Sequence, residues 1–246
     1  MSIDEEVEIE RARGQIRALV AEIEQLGRGN LAEAEFFRGL LERVLMAMEA
    51  VAGLVWLVGE GGRVEPICHA GVEHTGIAAS PEAQAAHGAL VQTLVGSPTG
   101  VLVPPRAEVT GADGQKPAAN ATDLLVIAAP IEQGGTRAGL IEIFHQPNLP
   151  DVERGYLAFL EQVSAVAADY MGRRQLKTLD TQQTALTQVE RFSRAVHESL
   201  DPIATAFVLA NEARRIIGCD RVSVLVRRRR KLRLEAVSGQ ESVERR

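Results

Sequence analysis

The sequence lacks the features of exported, membrane-spanning and disulfide-stabilised proteins. Its two cysteines, Cys68 and Cys219, lie far apart without metal-type spacing, which suits a reducing cytoplasm and provides no disulfide framework. The first residues, MSIDEEVEIE, are acidic where a secretory signal is basic. No apolar run reaches the ~18 residues that a membrane-spanning helix needs. We therefore expect a cytoplasmic chain that meets a membrane only through regions outside it.

Sequence motifs that carry catalysis are also missing. There is no P-loop, HExxH or CxxC, and Val64 interrupts any G-x-G-x-x-G pattern that begins at Gly59. Ser238 lies in VSGQ, without the glycines of a nucleophile elbow. No pair of carboxylates stands out from the acidic residues expected at the surface. We therefore expect a protein that is not an enzyme and that has no metal site.

The periodicity of apolar residues predicts the order of the elements. Stripes at three- and four-residue spacing predict helices over 1–29 and 31–50, and a third helix is expected after Ser80 at 81–95. Alternating apolar residues predict five strands, at 54–58, 64–68, 101–103, 123–131 and 137–145. The Pro-, Gly- and Ala-rich segment 104–122 is expected to be a loop.

A long helical pattern follows from 151 to 200. It has two successive apolar stripes, and an unbroken helix of this length would be on the order of 75 Å long. Such a helix is too long to pack on one small domain. It must bridge domains, pair with a copy of itself, or bend at Gly172. Leu179 and Leu186 are one heptad apart, which favours pairing into a homodimer through 151–200.

Two windows of the chain share one pattern at a spacing of 168 residues. VAGLVWLVGEGGRVEPICHAG (51–71) aligns without a gap on CDRVSVLVRRRRKLRLEAVSG (219–239), and each window follows an apolar-faced helix. The alignment places the cations of 227–231 over the turn at 59–62. We therefore interpret the cationic run as a hairpin tip.

Two other roles for the cationic run stay open beside the hairpin tip. It could dock on a partner or on an anionic surface, or it could bind nucleic acid. The net charge of −6 disfavours nucleic-acid binding, and no aromatic residue interleaves the cations to stack on bases. We expect no nucleic-acid partner.

The order of elements, with DLLVIAAPI, AGLIEIF and DVERGYLAFLEQVSAVAADY, resembles a GAF domain over residues 30–172. NEARRIIGCDRVSVLVRRRRKLRLEAVSG resembles the opening of a second one. The resemblance implies an α+β fold with a six-stranded antiparallel sheet flanked by helices, in tandem domains joined by long helices. The implied domains are an N-terminal helix (1–29), a GAF domain (30–150), a coupling helix (151–200) and an incomplete second GAF domain (201–246). The second half is also similar to the cytoplasmic GAF region of HlyD-type efflux adaptors.

The ligand-specific motifs of the family are not found, so the cofactor stays unknown. The cyclic-nucleotide signature is missing, Cys68 is expected in a strand rather than in a bilin-binding segment, and the cysteines are too few for the methionine-sulfoxide reductase type. The candidate pocket residues are Trp56, His69, His74 and His87.

The histidines have alternative interpretations. His69 and His74 could share a metal only if their loop folded back, and a third ligand is not evident. His87 could contact haem or another small ligand, or could be a partly buried helix residue. His145 ends a strand, and we assign it no role.

The resemblance implies a sensory or regulatory module that couples an unidentified ligand or partner to an output domain through 151–200. The alternative is a ligand-free dimerisation scaffold. An open polar pocket would favour the sensor, whereas a pocket plugged by Trp56 and apolar side chains would favour the scaffold.

Overall fold

The computed structural model describes residues 3–109, 118–198 and 201–240, and the chain divides into two units, Met1–Arg174 and Gln175–Arg246. The helices are α1 (Ile3–Arg28), α2 (Glu33–Met48), α3 (Pro81–Val95), α4 (Pro150–His197) and α5 (Pro202–Ile217). The strands of the first unit are β1 (Ala52–Val58), β2 (Val64–Ala70), β3 (Val101–Val103), β4 (Glu108–Val109), β5 (Ala118–Ala119), β6 (Leu125–Gln133) and β7 (Thr136–His145). Those of the second unit are β8 (Ser223–Arg228) and β9 (Lys231–Val237).

The main sheet of the first unit is antiparallel, with strand order β2-β1-β7-β6-β3. The predicted α+β class with helices around an antiparallel sheet is confirmed. The predicted sixth strand is not found in this sheet within the described residues. Pro104 and Pro105 follow β3, and because proline has no N–H to donate they end its ladder. The segment expected to be a loop instead contributes β4 and β5, which form a separate two-stranded ladder.

Both faces of the sheet are covered by helices, and successive side chains of β7 point alternately into one core and the other. Ile141 and Ile143 point into a core built with α1, α2 and α4. Leu140 and Phe144, on the other face of β7, join a second core under α3. Strands β6 and β7 are buried on both faces and consist almost wholly of apolar residues, so they form the centre of the first unit.

Local signals set the start of α3, which covers the second face. Pro81 occupies its first turn, and the Ser80 hydroxyl accepts a hydrogen bond from the Ala83 N–H at 3.1 Å. This cap satisfies one of the N–H groups that a helix start leaves without a partner. The predicted start of this helix is confirmed.

Close approach of β1 and β7 requires a glycine at position 139. A Cβ atom added there would lie 2.3 Å from the carbonyl oxygen of Trp56. That distance is far inside van der Waals contact with backbone, so a side chain would push the two central strands apart. Gly139 therefore allows β1 and β7 to lie at their close spacing beside Trp56.

Helix α4 runs without interruption through Gly172 for 48 residues, or about 72 Å. Its first part is buried against the sheet through residues such as Phe159, Leu160 and Tyr170. Beyond Arg174 four of its large apolar residues are exposed, namely Leu176, Leu179, Leu186 and Val189, whereas Phe192 and Val196 are half-buried. The helix thus changes from a buried element to one with an uncovered apolar stripe.

In the second unit, α5 packs on a two-stranded hairpin through Ala206, Ala210 and Ala236. The cationic run lies at the hairpin turn, as predicted: Arg228 pairs with Lys231, and Arg229 takes a left-handed φ of 57°. The other face of the hairpin is apolar and exposed, with Leu225, Leu232 and Leu234.

The hairpin registers of the two aligned windows differ by one residue. Carried over by the alignment, the pairing of Leu57 with Glu65 predicts that Leu225 pairs with Arg233, but Leu225 lies opposite Leu234. The reason is the shorter turn of the second hairpin, with two residues between its last paired positions where the first hairpin has five.

Candidate functional site

A single carboxyl group lies in the apolar layer between the sheet and α3. Glu142 is on the same face of β7 as Leu140 and Phe144, and its neighbours across the sheet are Leu54 of β1 and Ala128 of β6. Its side chain has no exposed surface. An acidic residue is almost never fully buried unless it is paired, so its surroundings require an account.

Two side chains approach this carboxyl group. The Trp56 indole N–H donates a hydrogen bond to Glu142 Oε2 at 2.9 Å. His87 extends from α3 and brings its Nε2 to 3.4 Å from the same oxygen, without forming a hydrogen bond. Glu142 Oε1 and His87 Nε2 are both buried without a hydrogen-bond partner. Each such group costs about 1–3 kcal/mol of stability, so native proteins have few of them.

Burial keeps both groups of this pair uncharged near neutral pH. It raises the pKa of Glu142 to about 8, an effect that the Trp56 hydrogen bond only partly offsets. Burial also lowers the pKa of His87 to about 4. The 3.4 Å approach therefore joins a carboxylic acid to a neutral imidazole rather than two ions.

Aromatic rings enclose the pair. The His87 ring centroid lies 5.8 Å from that of Trp56, at an interplanar angle of 50°, and 5.8 Å from that of Phe144, at 46°. Phe144 is fully buried, whereas Trp56 is partly exposed. Trp56 is thus the member of the cluster that lies between the acid and solvent.

The structure brings together two of the four predicted pocket residues, Trp56 and His87. His69 lies opposite Leu54 on the edge strand β2, on the same face of the sheet, but it is exposed. His74 is also exposed, in a short turn beside Glu73 at 3.6 Å. Among the described residues, no three His, Cys, Asp or Glu side chains come together in a way that could hold a metal ion.

His145, to which the sequence assigns no role, has a structural one. Its Nε2 lies 2.8 Å from the Met48 carbonyl oxygen, and its Nδ1 lies 2.6 Å from that of Gln146. The buried imidazole therefore joins the end of β7 to the end of α2.

Glu142 is the residue that the sequence interpretation missed. Sequence reasoning places it among the surface carboxylates, because acidic residues are usually solvated. The available signal was its position in AGLIEIF, where it is the one charged residue and has apolar neighbours at both alternating positions. In a strand buried on both faces, that position has no route to water.

A groove of about 260 Å³ lies on the opposite side of the sheet, between the 98–100 segment, β6, β7 and α4. Most of its polar side chains already have a partner in the protein. The Ser164 hydroxyl donates to the Pro130 carbonyl oxygen at 2.5 Å, Glu161 accepts from the Gly100 N–H at 3.0 Å, and Arg137 contacts Glu132 at 2.5 Å. The groove therefore makes a weaker candidate site than the cluster at Glu142.

Comparison with solved structures identifies the fold. A GAF domain from Pseudomonas syringae pv. tomato is similar at a TM-score of 0.50 and 16% identity, over 72% of this chain and 98% of that one. The GAF domain of A. aeolicus nlh2 in an inactive state gives 0.49 and 16%, over 66% and 99%. That of Acinetobacter phosphoenolpyruvate-protein phosphotransferase gives 0.46 and 14%, over 72% and 97%.

The chain therefore contains a GAF domain fold, and the predicted resemblance is confirmed for that domain. At such identity the likeness establishes a fold and not a function. No protein-family model and no curated protein matches the chain. The resemblance to HlyD-type adaptors is not shown by these structures and stays a prediction.

None of the helices in the described part of the chain is both long and apolar enough to cross a membrane.

Proposed function

We propose that the chain is a non-enzymatic regulatory module in which the GAF domain binds a small ligand at Glu142 and His87. The observation that carries the proposal is the pair of buried atoms without partners, Glu142 Oε1 and His87 Nε2. A sheet that served only as a scaffold would gain stability from an apolar residue at position 142. A polar group kept at such a cost is typical of a binding site.

The output would pass through α4. The buried half of this helix packs on the sheet that carries Glu142, and the Ser164 hydroxyl bonds to the carbonyl oxygen of Pro130 in β6. A ligand that moved the central strands would therefore displace the helix that packs beneath them. The same helix continues beyond Arg174 as the exposed stripe of Leu179 and Leu186.

Pairing of this stripe with a second copy would complete the coupling. Leu179, Leu186, Val189 and Val196 fit a heptad seam, and the polar residues Gln182 and Ser193 weaken it at two positions. A seam with a weak position can take more than one register, which suits a helix that transmits a shift. The cytoplasmic homodimer predicted from the sequence is part of this proposal.

Native mass spectrometry of freshly purified protein tests ligand and assembly together. We expect a dimer that retains a small molecule, and we expect Glu142→Gln to lose the small molecule but not the dimer. Glu65→Gln, an exposed carboxylate of β2, is the matched control and should retain both. A ligand-free wild-type protein that binds no compound in a metabolite screen by thermal shift would contradict the ligand-binding function.

The ligand-free scaffold remains the second candidate, and one observation favours it. Trp56 donates its hydrogen bond to Oε2 and so covers one side of the acid, as expected of a site closed by this side chain. A scaffold predicts that Glu142→Met raises thermal stability with no loss of any small-molecule response. The proposed sensor predicts the same gain in stability together with the loss of ligand stabilisation.

The second unit is proposed to be the beginning of another GAF domain. Its element order, α5–β8–β9, repeats that of α2–β1–β2, and in both cases the helix packs on the hairpin. Its role in an efflux adaptor or another output protein is a further proposal that a longer chain would test.

A further inference from the structure

The hydrogen-bonding groups left open at Glu142 define what a ligand must offer. The indole N–H of Trp56 occupies Oε2, which leaves Oε1. An ionised carboxylate presents only acceptors, and the Nε2 of a neutral imidazole protonated at Nδ1 is an acceptor too. A single group with several N–H donors could then donate a hydrogen bond to both Glu142 Oε1 and His87 Nε2. An alkylammonium ion has three such donors.

The rings around the acid favour the same class of ligand. Trp56, His87 and Phe144 form a chain of rings with neighbouring centroids 5.8 Å apart. A cation within about 6 Å of an aromatic face is attracted by the ring quadrupole, most strongly for Trp. Carboxylate and aromatic faces together are the surroundings that stabilise an organic cation.

No described residue supplies a positive charge to the acid. Facing Glu142 are Leu54 and Trp56 from β1, Ala128 from β6, and His87 from α3. Of these only His87 is titratable, and burial lowers its pKa to about 4. An anionic ligand would meet a carboxyl group and no cation, whereas a cationic ligand would find its counter-ion in Glu142.

We propose that the buried site at Glu142 and His87 binds a small organic ammonium ion with an apolar substituent, an inference that rests on the ligand-binding function proposed above. The ammonium group donates to Glu142 Oε1 and to His87 Nε2. The substituent takes a place among the apolar side chains of the layer under α3, which include Leu54, Leu90, Val91 and Leu140. These side chains are buried in the unliganded protein and must move apart to admit it. Entry is past Trp56, the partly exposed member of the cluster.

Binding is coupled to the loss of one proton from Glu142. The unliganded acid gives its proton to solvent, the ligand keeps its own, and the two groups form a buried ion pair. Because the pKa of Glu142 is raised to about 8, about 0.9 proton is released per ligand at pH 7 and about half a proton at pH 8. Affinity rises about tenfold per pH unit up to pH 8 and then levels off.

Isothermal titration calorimetry with alkylammonium ions from ethyl to hexyl, and with phenethylammonium, tests the inference. Titrations at pH 7 in two buffers of different ionisation enthalpy count the protons released. We expect at least one amine to bind at micromolar to millimolar concentration with near-stoichiometric proton release. Hexanol and hexanoate, which match hexylammonium in length, should bind at least about tenfold more weakly.

Variants separate this site from general amine binding. Glu142→Gln should weaken amine binding about 30-fold or more and abolish proton release, because it leaves the cation without a counter-ion. Glu65→Gln should change neither, and circular dichroism checks that both variants are folded.

Amine binding that survives Glu142→Gln, equal binding of hexanol, or no binding of any amine would overturn the ammonium assignment. The ligand-binding function would still stand if native mass spectrometry then found a neutral or anionic compound lost with Glu142. If no compound of any class bound, both the ligand-binding function and the ammonium assignment would be wrong.

Discussion

At the scale of single residues, the fold carries one conspicuous energetic cost, and it lies at Glu142. Glu142 Oε1 and His87 Nε2 have no hydrogen-bond partner, and the apolar side chains that bury them cannot supply one. Burial of these two atoms therefore lowers the stability of the fold. The two groups titrate in opposite senses, since burial raises one pKa and lowers the other. That opposition should be visible in the pH dependence of stability.

The free energy of unfolding should fall between pH 6.5 and 8. In this window folded Glu142, with its pKa near 8, still holds a proton that the unfolded chain, with a pKa near 4.5, has lost. Stability therefore decreases as pH rises, by about 1.3 kcal/mol over the window after the small opposing contribution of His87. Between pH 4.5 and 6.5 the slope from His87 has the opposite sign, because the unfolded imidazole takes up a proton that the folded one refuses. The two slopes then cancel.

Urea unfolding of the wild type and of Glu142→Gln measures this effect. The variant should show no decline from pH 6.5 to 8 and should lose stability below pH 6.5, where His87 acts alone. An equal decline in both proteins would assign the effect to other groups.

At the scale of elements, the sequence predicted what depends on apolar periodicity and missed what depends on long-range contact. The helices, the order of strands and the turn at Arg229 follow from local patterns. The burial of Glu142 follows from helices on both faces of β7, which no local pattern shows. The register of β8–β9 depends on the length of its turn. A gapless alignment assumes a turn as long as that of β1–β2, so it predicts the wrong register.

Gly139→Ala should destabilise the first unit by about 2 kcal/mol or more, because the new methyl group would meet the Trp56 carbonyl oxygen at 2.3 Å. Gly155→Ala, at an exposed position of α4 with no atom within 4 Å of the added Cβ, should instead stabilise by about 0.5–1 kcal/mol. Thermal unfolding of the two variants measures both effects. Similar midpoints for both would show that β1 and β7 can separate at little cost.

At the scale of the whole molecule, the account depends on α4 as the element that leaves the GAF domain. Its exposed stripe beyond Arg174 has more apolar surface than a single helix in water should keep. The proposed partner is a second copy of the same helix. Ligand at Glu142 would then act on the dimer through the buried half of α4.

Leu186→Glu should convert the proposed dimer to monomer, because it places two like charges at the centre of the seam. Thr184→Glu, two residues away and toward the opposite face, adds the same charge and should leave the dimer intact. Sedimentation equilibrium over a range of concentrations distinguishes the two results. A wild type that is strictly monomeric at high concentration would exclude coupling through a paired α4.

The most direct test of the account is a ¹³C NMR titration of the Glu142 side-chain carboxyl group in the folded protein. The account predicts a pKa near 8, and a lower value once an amine is bound. An unliganded pKa near 4.5 would contradict it, because the carboxyl group would then be solvated and ionised and the pocket would hold no unpartnered acid.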